Sequence, residues 1–234
     1  MNEHKDFSES AAGQILKDFE STADSSYKLF LAERVKSTIF PESIIGIRMG
    51  NIRKTASALA KVMSYEEVLE HIYPQALKWY EYKLLFGLLL QRLTPSEKVS
   101  EVLPKLYGLC DGWAVPDTFQ VVLAHFAKKG NLELILQSIQ EYKTSINPFA
   151  RRLTVVVQMP LVKHGLVSVR QALEICEEMQ WDEEYLVQMG VAWTLSELRI
   201  NHPDEVEAFL SEGKISSEDV LKKYKQKLRD SLRL

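Results

Sequence analysis

The chain has 234 residues, 46% hydrophobic and 26% charged, with a net charge of −3 and a pI near 6.0. That is enough chain for one sizeable core, and the charge balance excludes the strongly basic proteins that coat DNA without regard to sequence. The longest apolar run, Leu84–Leu90, is far short of the roughly 18 residues a membrane span needs. The polar, acidic start MNEHKDFSES has neither the basic opening nor the apolar stretch of a secretion signal, so a cytoplasmic protein is expected. Cys110 and Cys176 have no metal-type spacing and read as buried thiols in a reducing compartment.

Strand signals are nearly absent, and helix starts and stops recur along the chain. Residues 1–24 form an acidic N-terminal segment holding Glu3, Asp6, Glu9, Asp18, Glu20 and Asp24, with a helix expected over about 9–22 and another over about 25–36. Helices at about 50–62 and 65–72 follow, the second opened by the capping-box pattern Ser64-Tyr-Glu-Glu67. A long helix at about 75–93 leads to Thr94-Pro95, which opens one at about 95–108 with proline at its first position. Next come helices at about 115–129 and 132–144, with Gly130 as a stop between them. Asn147-Pro148 opens about 148–164, which Gly165 ends, and Ser168-Val-Arg-Gln171 is a second capping box, for about 168–180. Asp182 is placed to cap about 183–201, followed by about 203–212, the stop Gly213, and a helix at about 217–232 within a basic C-terminal segment, 217–234. Pro104 and Pro160 fall inside helical stretches and should kink or end them.

Long helices start near 75, 115, 148 and 183, gaps of about 40, 33 and 35 residues, a period that suits stacked helical hairpins. The stretches 75–93, 148–164 and 183–201 are apolar nearly all round, as inner-layer helices are. The spacing therefore predicts an all-α chain, either one array of HEAT-like helical-hairpin repeats forming a curved solenoid over 1–234, or a plain helical bundle.

The chain has no P-loop, GxGxxG, HExxH or nucleophile elbow, and His4, His71, His125, His164 and His202 are scattered without ligand spacing. No metal and no cofactor is expected. One segment stands out, Asp111-Gly-Trp113-Ala-Val-Pro116-Asp117-Thr-Phe. Trp113 and Asp117 are four apart and able to share one side, and Asp117 falls in a first helical turn, whose dipole favours an ionised carboxylate. Taken alone, such an aspartate is usually a helix cap and such a tryptophan usually core. In Asn147-Pro-Phe149-Ala-Arg151-Arg152 the adjacent arginines diverge by about 100°, so one can face a groove, or both are surface charge near a helix start, and Trp193 in Tyr185-Leu-Val-Gln-Met-Gly-Val-Ala-Trp193-Thr-Leu-Ser196-Glu197 reads as a core residue or a functional one. The basic end, with Lys222, Lys223, Lys225, Lys227, Arg229 and Arg233, fits either a phosphate backbone or a solvated last helix.

Taken together and in order, DGWAVPDTF, the FARR stretch and YLVQMGVAWTLSE resemble the signature blocks of the AlkD-type DNA alkylation-repair family. Pro41-Glu-Ser-Ile-Ile-Gly-Ile-Arg48 with Asn51-Ile-Arg-Lys54, and Trp79-Tyr-Glu81-Tyr82, resemble two further blocks, so the likeness spans about residues 25–212. The resemblance implies HEAT-like repeats around a DNA-embracing surface, and hydrolysis of the N-glycosidic bond of cationic N3- and N7-alkylated purines without a deep base pocket. It implies Asp117 as the catalytic carboxylate, Trp113 and Trp193 as cleft aromatics, and Arg152, or else Arg151, as the arginine that grips the backbone, with Phe149 beside them. Active members often carry tryptophan at the Phe149 position and bases near Met189 and Ser196. They also present a DNA-intruding helix where this chain has the Pro41-containing stretch 37–45. These departures imply DNA binding that is weak and salt-sensitive, and a monomer is expected. They leave open a non-catalytic DNA-binding paralogue, or a helical-repeat scaffold for proteins.

Overall fold

A computed structural model describes residues 7–34 and 40–231. The start of the acidic segment through Asp6, the end of the 25–36 helix, positions 37–39 of the Pro41-containing stretch, and Arg233 lie outside the described residues. Among those described there is no strand, so the expectation of an all-α chain holds. No helix among them is long and apolar enough to cross a membrane. The chain divides into two compact units, Met1–Val115 and Pro116–Leu234.

The first unit runs through α1 (Ala11–Ser21), α2 (Ser25–Arg34), α3 (Met49–Leu59), α4 (Tyr65–Glu67), α5 (Tyr73–Ala76), α6 (Tyr80–Leu93) and α7 (Val99–Gly108). Local chemistry sets the ends. The Ser64 hydroxyl and the Glu67 carboxylate cap one another's backbone N–H groups as the expected box. The Asp24 carboxylate accepts from the Ser26 and Tyr27 N–H groups and pairs with Arg48 at 2.9 Å. Those partners hold its carboxyl well below the usual carboxylate range. Phe40 to Arg48 contains only the short 3₁₀ turn Pro41–Ser43, consistent with Pro41 opposing a continuous helix.

Two boundaries differ from expectation. The run from Tyr65 passes Pro74 by way of a π-helical turn at Val68–Ile72, whose wider spacing accommodates the missing proline N–H. The break falls later, at residues 77–79, so 75–93 is two helices. Thr94 opens nothing; it is the C-cap of α6, and a 3₁₀ turn at Ser96–Lys98 leads into α7.

The α6 helix is buried almost all round and holds two polar anchors. The fully buried Glu81 carboxylate accepts the backbone N–H groups of Ile45, Gly46 and Ile47 at 2.9, 2.7 and 3.2 Å. Gly46 has φ +100°, and a Cβ there would stand 2.6 Å from the Asp24 carbonyl oxygen. Tyr82 meets Phe19 edge-on at 5.5 Å and donates its hydroxyl to Glu20 at 2.7 Å. Burial pushes that phenol well above its ordinary range. The buried ammonium of Lys83 pairs with Asp111.

The second unit follows α8 (Ala114–Phe126) with α9 (Leu132–Tyr142), α10 (Pro148–Val156), α11 (Gln158–Lys163), α12 (Val169–Met179), α13 (Tyr185–Asn201), α14 (Pro203–Ser211) and α15 (Glu218–Ser231). Gly130, Gly165 and Gly213 all take positive φ at the expected stops. Ser168 and Gln171 complete the second capping box, and the Asn147 side chain caps Phe149 N–H. The stretch 148–164 is broken at Val157, because the Pro160 ring opposes the carbonyl four residues earlier, on Val156. Pro104, by contrast, stays inside α7. At the centre lies α13, against which α10, α12, α14 and α15 all pack. Its buried residues cover most of the helix, leaving Leu186, Met189, Trp193 and Glu197 on one partly exposed face.

Candidate active site

The first turn of α8 carries Asp117, and α10 carries Arg152. Their side chains meet fork to fork: Arg152 Nε donates to one Asp117 oxygen at 2.9 Å and Nη2 to the other at 3.0 Å. The third guanidinium nitrogen, Nη1, donates to the Leu186 carbonyl at 2.7 Å. The arginine side chain is 6% exposed and the aspartate 18%, so this is a buried ion pair with a small open edge on the acid. Burial raises the Asp117 carboxyl above the usual carboxylate range, opposed by Arg152 and by the more distant charge of Lys227.

Trp193 completes the group, with the Arg152 guanidinium carbon 6.0 Å from its ring centroid. The indole N–H donates to Glu197 one turn on, at 3.2 Å, which fixes the ring. Gly190, on the same helix, makes room: a Cβ there would already touch the Arg152 side chain at 3.4 Å.

The structure thus brings Asp117, Arg152 and Trp193 together. Trp113 lies in the first unit, half-buried, with its indole N–H 3.4 Å from the Arg34 carbonyl oxygen. Phe149 is half-buried at the start of α10. Arg151 turns away from Arg152 and forks onto Asp182 at 2.6 and 2.9 Å, with a third bond to the Ser145 carbonyl. Asp182 also accepts the Glu184 N–H near the start of α13, so it both supports that end and anchors Arg151. Neither arginine is a loose surface cation, the reading their sequence position equally allowed. Ser196 is fully buried and donates to the Trp193 carbonyl.

Sequence reasoning passed over three contributors. Gln120, three residues after Asp117 and on the same face, donates its amide to the Asp117 carbonyl at 3.0 Å. The Leu186 carbonyl orients Arg152, and Gly190 gives it space. The last had a visible signal, a lone glycine in an otherwise apolar helix.

The arrangement is a fixed anion, held by a fork and bordered by an aromatic ring. It can stabilise positive charge developing on a ligand and orient a water.

Two solved structures share the fold. AlkD2 from Streptococcus mutans matches with a TM-score of 0.59 at 19% identity, over 86% of this chain and 97% of that one. The smu.31 protein from Streptococcus mutans UA159 matches with a TM-score of 0.54 at 18% identity, over 93% and 98%. At such identities the likeness is one of fold, and it agrees with the helical-hairpin architecture expected from the helix spacing. No curated protein sequence matches the chain. The family model described as DNA alkylation repair enzyme matches residues 15–233, which carry the ion pair, the aromatic ring and the helices that position them, and the chain belongs to that family.

Proposed function

We propose that this protein is a DNA glycosylase that hydrolyses the N-glycosidic bond of cationic N3- or N7-alkylated purines. The observation that carries the reading is the buried fork between Asp117 and Arg152 against Trp193. A cationic base is already a good leaving group, so no strong general acid is needed. As the bond from sugar C1′ to the base nitrogen breaks, its electron pair neutralises the base and positive charge gathers on the deoxyribose. Ionised Asp117 stabilises that charge and orients a water, whose oxygen bonds to C1′ as its proton passes to the carboxylate or to solvent. The products are a neutral alkylpurine and an abasic site.

Arg152 keeps the carboxylate aimed. Three of its five N–H bonds are used by Asp117 and Leu186 and its side chain is 6% exposed, so its part is to position Asp117 rather than to grip a phosphate. Trp113 and Trp193 are assigned as aromatic contacts to the sugar-phosphate backbone, with Phe149 and Arg151 supporting the start of α10. The protein works as one repeat domain and as a monomer in the cytoplasm. With a net charge of −3 its DNA binding is weak and salt-sensitive.

The test is release of 7-methylguanine from methylated duplex DNA. Asp117→Asn should abolish it, and full release by that variant removes the carboxylate from the mechanism. The net charge also favours a second reading, a family member that binds branched or damaged DNA without excision. No base release together with salt-sensitive binding to such DNA selects it, and a flat salt response rejects it.

A further inference from the structure

Two polar side chains tie three loops of the second unit together. Arg151 joins the loop before α10 to the loop before α13: it donates to the Ser145 and Ile146 carbonyls and forks onto Asp182. Gln180, which is buried, joins that second loop to the one before α15. Its amide nitrogen donates to the Lys214 carbonyl at 2.8 Å, and its oxygen accepts the N–H groups of Ser216 and Ser217 at 2.7 and 3.0 Å. Trp181 stands between these two clamps, so its backbone is held on both sides. On this fixed frame Ile146, Trp181 and Tyr185 are 99, 65 and 60% exposed. Large apolar side chains grouped in water on a rigid support mark a surface that another molecule covers, and tryptophan and tyrosine are the residues that most often anchor one.

The charges around the ring indicate what that molecule carries. Hollows of about 330 and 540 Å³ flank Trp181. Glu178 lines the smaller, and Glu183, Glu218 and Asp219 line the larger. Lys143 is matched by Glu178, and Arg151 by Asp182. Glu183, Glu218 and Asp219 have no ion-pair partner among the described residues. Such a border repels a nucleic-acid backbone and draws in a cationic chain. An arginine fits best, because its planar guanidinium stacks on an indole face while its N–H groups reach carboxylates.

We propose that this loop surface docks a basic segment of a partner protein, with an arginine over Trp181 between the unpaired carboxylates and an aliphatic side chain against Ile146. The inference does not depend on the DNA reading.

The test is fluorescence anisotropy of the full chain with three labelled peptides: alternating arginine and leucine, the same with serine for leucine, and the same with glutamate for arginine. The first should bind most tightly, and added salt should weaken it. Trp181→Ser should weaken it by about tenfold or more, the loss typical of an aromatic anchor. Ile146→Ser should weaken it less, and Glu183→Gln combined with Asp219→Asn should flatten its salt response. Both apolar side chains are exposed, so these variants should keep the wild-type urea midpoint and the loss reads the surface itself. No binding of the arginine–leucine peptide, equal binding of the serine peptide, or binding that Trp181→Ser leaves unchanged overturns the proposal. A loss of duplex DNA affinity in Trp181→Ser also overturns it, by making the ring a nucleic-acid contact instead.

Discussion

Arg152 reaches from α10 to grip both carboxylate oxygens of Asp117 on α8, and the pair is bordered by the ring of Trp193. Breaking a buried pair strands one charge, which costs more than the pair itself contributes. Arg152→Met should therefore lower stability by about 3 kcal/mol in urea unfolding. Arg152→Lys keeps the charge, loses the fork, and should cost less. A loss within the noise for Arg152→Met would show that the pair does not hold the fold.

The same pair predicts a pH profile. Burial raises the Asp117 carboxyl above its unfolded value, so the native state holds that proton to higher pH. Its contribution to stability is present below the ordinary carboxylate range and is lost as pH rises through the raised value. Catalysis needs the ionised form, so base release should climb with pH through a limb lying above the ordinary aspartate range. Arg152→Met removes the main opposing influence and should move that limb further up. A limb that stays put, or moves down, contradicts the assignment.

Glu81 makes a separate prediction for the first unit. Its carboxylate presents only acceptors to the N–H groups of Ile45, Gly46 and Ile47. Glu81→Gln turns an NH₂ group toward donors and should cost about 2 kcal/mol. Hydrogen exchange at those three amides should accelerate in the variant, and unchanged protection would remove the clamp.

The cysteines should be inert in the native protein. Cys176 is fully buried, and burial pushes its thiol up to about 12, so almost no thiolate exists at pH 8. Cys110 is buried too. Iodoacetamide at pH 8 should label neither thiol in the folded chain and both after denaturation, as mass spectrometry would report. Native labelling of Cys176 would contradict its burial.

Much of this was legible in the sequence, for identifiable reasons. The two capping boxes and the glycine stops are local, so residues a few positions apart announce them. The block DGWAVPDTF marked Asp117 through its resemblance to a family signature, not through its place in a first helical turn, where acids are common. What stayed hidden is non-local. Nothing near Arg152 in sequence shows that Asp117 and the Leu186 carbonyl will claim it, or that Asp182 will claim Arg151 instead. The breaks near Leu77 and at Val157 were displaced because a proline acts on the turn before it, and π-turns can absorb one.

The interruption at Val157 has a consequence for how the second unit can change over time. It divides one apolar run into two helices, the first bearing Arg152 and the second bearing Met159, Pro160 and Lys163. A straight rod would make any tilt that improved one set of side chains drag the other along. With a joint between them, α11 can drift to suit a new ligand while α10 keeps the arginine in register.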